Sequence, residues 1–234
     1  MQLKKPVMRN AIDIGNDFIV TTDNSGGIGE KPADVLNVPD RVTAYFAARV
    51  ALLEQWASSA EPVAILIHNF SGGDSWERYA VGVTDLFYAA GIDVPKISGS
   101  TETNMELMQS AMAVTMIGKR IRNLALGNVI WFTYGVPLVG DEVLNRAEEI
   151  ASLRLIKEAM DSGIVQQIWP IGSHGILEEV RRITENMAAQ VKTEVDAIKS
   201  AGPSTVVLVA ISEAKERSAR QHFGVLLNEL QISE

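Results

Sequence analysis

The stretch Thr21-Thr22-Asp23-Asn24-Ser25-Gly26-Gly27-Ile28-Gly29-Glu30-Lys31-Pro32 follows an apolar run, Phe18-Ile19-Val20, that is typical of a strand. An aspartate at the end of a strand, here Asp23, can hold a hard cation such as Mg²⁺ through oxygen. Backbone beside glycine can approach phosphate closely and direct N–H groups at it. The stretch therefore predicts a magnesium–nucleotide site. It matches neither G-x-x-x-x-G-K-[ST] nor G-x-G-x-x-G, so an ordinary glycine-rich hairpin or loop stays open as the alternative.

Composition limits the classes of function that need to be considered. The 234 residues include no cysteine, which excludes disulfides, thiolate zinc sites and cysteine nucleophiles. The formal net charge of −8 argues against a general nucleic-acid binder but not against a nucleotide ligand. No apolar run reaches the roughly 18–20 residues of a membrane helix, and the N-terminus lacks the apolar core of a signal peptide. We therefore expect a cytoplasmic protein that binds neither nucleic acid nor membrane.

Helical and extended patterns alternate along the chain without an internal repeat. Asp40 is a good N-cap for a long helix that should stop near Ser58-Ser59. The other predicted elements are a hairpin over 11–22, strands over 63–68, 96–99, 112–117, 128–133, 164–171, 205–211 and 223–230, and helices over 76–90, 141–149, 151–160 and 176–187, with a short charged helix after Ser212. The pattern predicts an α/β or α+β protein whose residues 1–120 and 121–234 form two parts of different character.

The order of several motifs resembles the aminoimidazole ribonucleotide (AIR) synthase superfamily. These motifs are the strand with "TTD" and its glycine-rich segment, the long helix, "SAEPVAILIHN" (59–69), "SGSTETN" (98–104) and "GNVIWFTYGVP" (127–137). The superfamily also includes selenophosphate synthetase, thiamine monophosphate kinase and a hydrogenase maturation factor. The resemblance implies an N-terminal mixed sheet with packed helices that binds ATP and Mg²⁺ (1–120), a compact C-terminal α/β part (121–234), and a homodimer.

The same resemblance implies a metal set of three carboxylates. The aspartate of "TTD" is Asp23, and the metal-binding aspartate of the long helix corresponds to Glu54, which is one methylene longer. The acidic turn after a short strand corresponds to Glu102, shifted by one residue, and the upstream "GDDAA" segment is missing. Structural alternatives stay open: a turn-capping role for Asp23, a solvated helix face for Glu54, and a purely structural role for Glu102.

The nucleotide phosphates are assigned to the backbone of the glycine-rich segment and to Lys31. Gly26, Gly27 and Gly29 would supply N–H groups or permit positive φ, and simple turn formation is the alternative. Lys31 would neutralise a phosphate or assist the transferring phosphoryl group, unless it is only a solvated loop lysine. Asn104 is assigned to the same nucleotide site.

His68 ends a predicted buried strand and is the candidate general base. Ligands tend to bind at the carboxyl ends of strands in α/β proteins, so His68 could accept a proton from a substrate hydroxyl. A partly buried structural histidine is the alternative.

The motifs "TDNSGGIGEKPADV", "HNFSG" and "GSTETN" look most like the small α-ribazole kinases of cobalamin salvage. This resemblance implies an ATP- and Mg²⁺-dependent kinase that acts on a small-molecule hydroxyl. Another AIR synthase-like ATP-dependent ligase, cyclase or kinase, and a non-catalytic nucleotide-binding protein, remain as alternative functions.

Overall fold

A computed structural model describes residues 9–121 and 127–233 of the chain. The chain divides into two units, the first made of residues 10–123 and the second of residues 1–9 with 124–234. Each unit contains a β-sheet with helices packed on it. The predicted α/β (α+β) class is therefore confirmed.

The first unit is built from alternating strands and helices. Its elements are β1 (Ile12–Asp13), β2 (Phe18–Gly26), β3 (Ile28–Gly29), β4 (Leu36–Asn37), α1 (Asp40–Ala57), β5 (Ala60–Asn69), α2 (Ser75–Ala90), β6 (Lys96–Thr101) and β7 (Ala111–Arg120).

The main sheet of this unit has the strand order β1-β2-β7-β5-β6. Strand β7 is antiparallel to both β2 and β5, whereas β5 and β6 are parallel. Strands β2, β5 and β6 therefore run in the same direction, and their carboxyl ends lie at the same end of the sheet. The register agrees, since Gly26 pairs with Ala111, while Asn69 pairs with Met112 on one side and Thr101 on the other.

Helix α1 is fixed over this sheet by a buried glutamine. The side chain of Gln55 is fully buried, and its amide nitrogen lies 3.1 Å from the carbonyl of Ile19 on β2 and 3.0 Å from that of Met116 on β7. A Cβ at Gly118 would lie 2.0 Å from the Gln55 Oε1 atom and 2.9 Å from the carbonyl oxygen of Glu61, so the glycine allows the glutamine side chain to pack this closely. The hydroxyl of Thr21 also donates to the carbonyl of Ala51 at 2.9 Å. These contacts fix the helix in one register against β2 and β7.

Helix boundaries follow the predictions more closely than helix caps do. Helix α1 begins at Asp40 as expected, but Asp40 is not its N-cap: Pro39 holds that position without a side-chain hydrogen bond. The Asp40 carboxylate instead pairs with Arg78 of α2 at 2.9 Å, because α2 packs beside the start of α1. Helix α2 follows Asp74 and ends at Gly91, whose φ of 72° is the left-handed C-terminal geometry that glycine favours.

The second unit contains a four-stranded antiparallel sheet with the order β12-β8-β11-β9, together with a separate two-stranded pair, β10-β13. Its elements are β8 (Val129–Tyr134), α3 (Glu142–Asn145), α4 (Leu153–Asp161), β9 (Val165–Pro170), α5 (Gly175–Thr184), β10 (Gln190–Lys192), β11 (Val207–Ser212), α6 (Glu216–Phe223), β12 (Leu227–Glu229) and β13 (Gln231–Ser233).

Two predictions for the second unit are wrong in extent. The helix expected over 141–149 is broken at Arg146 into α3 and a 3-10 turn, Ala147–Glu149. The backbone of Arg146 leaves helical geometry there, with φ −132° and ψ 40°. The strand expected over 223–230 begins with the 3-10 turn Gly224–Leu226, and only β12 joins the sheet. Local periodicity does not show where pairing with β8 begins.

A buried acidic side chain stabilises the second unit. Glu179 on α5 is fully buried, and its carboxylate accepts hydrogen bonds from Arg9 Nε at 2.8 Å and from Trp169 Nε1 at 2.9 Å. A buried charge is tolerated when it is paired and hydrogen-bonded in this way. Among residues 9–121 and 127–233, no helix has the length and apolar character needed to cross a membrane.

Candidate functional site

Three chain segments leave the same end of the main sheet in the first unit. Residues 27–39 follow β2, residues 70–74 follow β5 and lead into α2, and residues 102–110 follow β6. The carboxyl ends of strands are where ligands tend to bind in α/β proteins. The topology therefore brings the glycine-rich segment and the Glu102 turn to one end of one sheet.

The three glycines of the first segment occupy different environments. Gly26 belongs to β2 and has open space where a Cβ would lie. Gly27 has a φ of 70°, which favours glycine, and its N–H donates to the carbonyl of Ser110 at 2.8 Å. A Cβ at Gly29 would lie 2.4 Å from Ser110 Oγ and 2.9 Å from Asp40 Oδ1. Gly27 and Gly29 thus allow this segment to pack closely on its neighbours.

Asp23 lies within a strand and not at its end, which corrects the sequence interpretation. Strand β2 continues to Gly26 because β7 extends far enough to pair with Asn24, Ser25 and Gly26. Alternation along β2 places Asp23 on the same face as the buried Ile19 and Thr21, the face on which α1 packs. Its side chain is half-buried at that position.

Lys31 joins the first segment to the third. Its ammonium group donates to the carbonyl of Leu107 at 2.6 Å, and its backbone N–H donates to Asp34 Oδ2 at 2.9 Å. In this structure the lysine therefore bridges two loops. The ammonium group carries three N–H donors, so a contact with a nucleotide phosphate does not require it to give up the Leu107 carbonyl.

Asp34 organises the segment, and the sequence interpretation missed it. The carboxylate is buried and accepts the backbone N–H of Ser110 at 2.7 Å through Oδ1, in addition to that of Lys31. The sequence Lys31-Pro32-Ala33-Asp34 carries the proline and aspartate that are typical of a turn. That signal could have identified the turn, but not the contact with Ser110, which lies 76 positions away.

Asn69 fixes the second segment, residues 70–74, through hydrogen bonds of its side chain to the backbone. Its side-chain oxygen accepts the N–H of Ser71 at 2.9 Å, and its amide nitrogen donates to the carbonyl of Gly72 at 2.7 Å. The amide nitrogen also lies 3.3 Å from Thr101 Oγ1, so Asn69 connects the ends of β5 and β6.

The Glu102 carboxylate caps its own turn. Its Oε1 atom accepts the backbone N–H of Asn104 at 2.6 Å and that of Met105 at 3.1 Å. These hydrogen bonds, that from Asn104 first, hold the pKa of the Glu102 carboxyl below its ordinary value. The backbone of Asn104 is part of the same cap, and its side chain is exposed.

Acid is expected to release this turn. Because the folded pKa of Glu102 lies below the ordinary 4.5, the stabilisation is complete above pH 4.5 and is lost as the pH falls through the folded pKa. Amide NMR shifts of Asn104 and Met105 should titrate with that lowered pKa. The Glu102→Gln variant should abolish this titration, and a midpoint at or above pH 4.5 would contradict the capping role.

Glu54 is fully buried on α1, which excludes the alternative of a solvated helix face. Its Oε1 atom lies 3.5 Å from Asn10 Nδ2. Across the described ranges, no three or more histidine, cysteine, aspartate or glutamate side chains gather in a way that could hold a metal ion. Asp23, Glu54 and Glu102 thus do not form a closed metal centre by themselves. Magnesium typically takes one or two carboxylates and completes its shell with phosphates and water, and a single half-buried carboxylate such as Asp23 fits that mode.

His68 lies on the other face of the sheet from Asp23. Its Nε2 atom is 3.3 Å from Thr115 Oγ1, which in turn is 3.3 Å from Thr22 Oγ1. Thr22 alternates with Asp23 along β2, so the two side chains point to opposite faces. The structure therefore does not bring His68 and Asp23 together on one face.

Comparison with solved structures finds similar folds over nearly the whole chain. A crystal structure of thiamine monophosphate kinase from Aquifex aeolicus has a TM-score of 0.66 at 10% identity, covering 97% of this chain and 88% of that one. AaThiL in complex with AMPPCP and TMP has a TM-score of 0.65 at 12% identity, covering 99% and 86%. Hydrogenase maturation protein HypE has a TM-score of 0.60 at 10% identity, covering 94% and 81%. No protein-family model and no curated protein matches the sequence.

Proposed function

We propose, on the premise that the chain has the AIR synthase-like fold, that it is an ATP-dependent phosphotransferase acting on a small-molecule hydroxyl. The observation that carries the proposal is the meeting of the glycine-rich segment, the Ser71–Asp74 loop and the Glu102 turn at one end of the main sheet. A structural neighbour in complex with AMPPCP supports a nucleotide as the ligand.

Phosphoryl transfer depends mainly on positioning and on neutralising charge. In the proposed site, backbone groups of Gly26, Gly27 and Gly29 border the phosphates. Lys31 and Asn104 hold the nucleotide from the two bridged loops. The lysine lies within reach of this role because its ammonium group already sits between those loops.

Magnesium, when bound with the nucleotide, neutralises charge on the phosphate oxygens. Asp23 is the first of the proposed ligands, because it is half-buried on the helix-covered face and lies in the strand that leads into the glycine-rich segment. Glu54, on the helix that covers this face, is the second proposed ligand. Glu102 follows β6, which lies three strands from β2 in the sheet, so Glu102 is proposed as a ligand of a separate Mg²⁺ and not of the ion at Asp23. The capping bonds occupy Glu102 Oε1, so a metal would share this carboxylate with the turn.

His68 is the proposed proton acceptor for the substrate hydroxyl. Its contact with Thr115 Oγ1 orients the imidazole on the sheet face opposite to α1, which we call the open face. Because one hydroxyl must contact both His68 and the γ-phosphorus, this role requires the γ-phosphate to reach the His68 face of the sheet at the carboxyl end of β5.

The acceptor that we propose is α-ribazole, the substrate that the sequence resemblance to small cobalamin-salvage kinases implies. A non-catalytic nucleotide-binding protein is the second candidate. It is favoured by the absence of a three-carboxylate group among the described residues and by the capping role of Glu102. Product analysis with ATP and α-ribazole separates the two, because only the first consumes ATP and forms a phosphorylated alcohol.

We also propose a homodimer, which the sequence resemblance implies. The open face of the main sheet supports it, because Val20, Leu66 and Ile117 are half-buried there and not fully buried. A single-chain mass in light scattering would contradict the dimer.

Titration calorimetry with AMPPCP, with and without Mg²⁺, tests the proposed function. We expect AMPPCP to bind much more weakly when Mg²⁺ is chelated, because the metal neutralises charge on the phosphate oxygens. Binding that is absent, or equal with and without Mg²⁺, would contradict the proposal.

A further inference from the structure

Four large apolar side chains are exposed on the two loops that border the candidate phosphate site. Their exposed fractions are 87% for Val35, 72% for Met105, 40% for Leu107 and 82% for Met108. Single exposed apolar residues are ordinary, but several on adjoining loops indicate a binding surface. We call these four side chains the apolar loop patch.

The backbone beneath the apolar loop patch is held at several points. Lys31 Nζ donates to the carbonyl of Leu107, and Gln109 Nε2 donates to that of Ala33 at 2.7 Å. The N–H of Ser110 donates to Asp34, and the Glu102 carboxylate accepts the N–H of Met105. The apolar side chains are therefore presented to solvent by ordered loops. A ligand that binds to ordered loops does not have to supply the free energy of ordering them.

Val35 of the patch adjoins the glycine-rich segment directly. A Cβ at Gly27 would lie 3.7 Å from Val35 Cγ2 and 3.3 Å from Gln109 Nε2. The N–H of Gly27 donates to the carbonyl of Ser110. Ser110 follows the loop that carries Met105 and Met108. A small molecule with its hydroxyl near the phosphates would have its remaining atoms close to Val35 and to the loop that carries both methionines.

We infer that the apolar loop patch binds the ring of the phosphoryl acceptor, and that this ring is an apolar aromatic one. The inference rests on the proposed function and names the acceptor class of the same site. Methionine side chains are flexible and polarizable, and their sulfur atoms make favourable contacts with aromatic rings. A base rich in N–H and C=O groups would lose water there without gaining hydrogen bonds, because the four side chains offer none. The patch thus selects nucleoside-like alcohols with an apolar ring, such as α-ribazole, over those with polar bases.

Direct binding tests the inference without requiring turnover. Calorimetry on the full chain, with AMPPCP and Mg²⁺ present and again without them, would compare α-ribazole with uridine. We expect α-ribazole to bind at least about tenfold more tightly than uridine. The double variant Met105→Gln/Met108→Gln should weaken α-ribazole binding about tenfold while leaving uridine and AMPPCP binding unchanged.

The matched control is Met187→Gln, which changes an exposed methionine of the second unit. It should leave all three affinities unchanged. An unchanged α-ribazole affinity in the double variant, or an equal loss of affinity for α-ribazole and uridine, would overturn the inference that the patch binds the acceptor ring. Failure to bind AMPPCP would overturn the proposed function instead, and the loss of α-ribazole affinity in the double variant would still support the patch.

Discussion

Replacing Gly99 with alanine is expected to lower the free energy of unfolding by about 3 kcal/mol. Gly99 lies in β6 beside Ile67 of the parallel strand β5. A Cβ at this position would lie 1.9 Å from the carbonyl oxygen of Ile67 and 2.8 Å from its carbonyl carbon. Both are backbone atoms, so no side-chain rotation relieves the overlap, and β6 has to separate from β5.

Chemical denaturation and hydrogen exchange would measure this effect. The amides of β6 and of the Glu102 turn should exchange faster in Gly99→Ala, because β6 leads directly into that turn. Gly26→Ala is the matched control, since Gly26 is also a strand glycine but has no atom within 4 Å of a built Cβ. Equal denaturation midpoints for the two variants would show that β6 accommodates the added methyl group.

Local signals in the sequence predict most elements of the first unit. The helix predicted over 76–90 corresponds to α2, which ends before Gly91, and α1 ends near Ser58 as its helical periodicity predicts. These signals act within a few residues of the element that they define. The same reasoning correctly gave the strand that contains His68, although pairing with β7 extends it to Ala60–Asn69.

Contacts between residues far apart in the sequence determine the features that the sequence did not predict. Asp23 lies inside β2 because β7, nearly a hundred positions later, supplies the partner strand. Asp40 pairs with Arg78, and no pattern near α1 indicates that choice. The burial of Glu54 depends on how α1 lies against the sheet. Register between strands is set by such tertiary packing, and a single sequence does not display it.

The candidate site shows the same division between local chemistry and long-range geometry. Period-two alternation along a strand could have separated Thr22 from Asp23, but it could not have placed His68 beside Thr115. The turn over Lys31-Pro32-Ala33-Asp34 is visible in the sequence, whereas its bond to Ser110 is not. The residue types of the site are therefore more predictable than the faces on which they lie.

Replacing Asp23 with asparagine is expected to lower Mg²⁺-dependent ATP turnover by about 100-fold. Asparagine has nearly the same shape as aspartate, so the half-buried position on β2 keeps its packing. It removes the negative charge that the proposed site uses to hold Mg²⁺, and a neutral amide is a weaker ligand for a hard cation. The AMPPCP affinity measured with Mg²⁺ should fall toward the affinity measured without it.

The measurement is a Mg²⁺ titration of turnover and of AMPPCP binding, combined with a thermal melt of each variant. Asp93→Asn is the control, because Asp93 is an exposed aspartate of the same unit that lies outside the proposed site. A melting temperature close to wild type with lost Mg²⁺ dependence would support a ligand role for Asp23. A lower melting temperature with unchanged Mg²⁺ dependence would instead assign Asp23 to the packing of β2 against α1, and the metal would then have to bind through other residues.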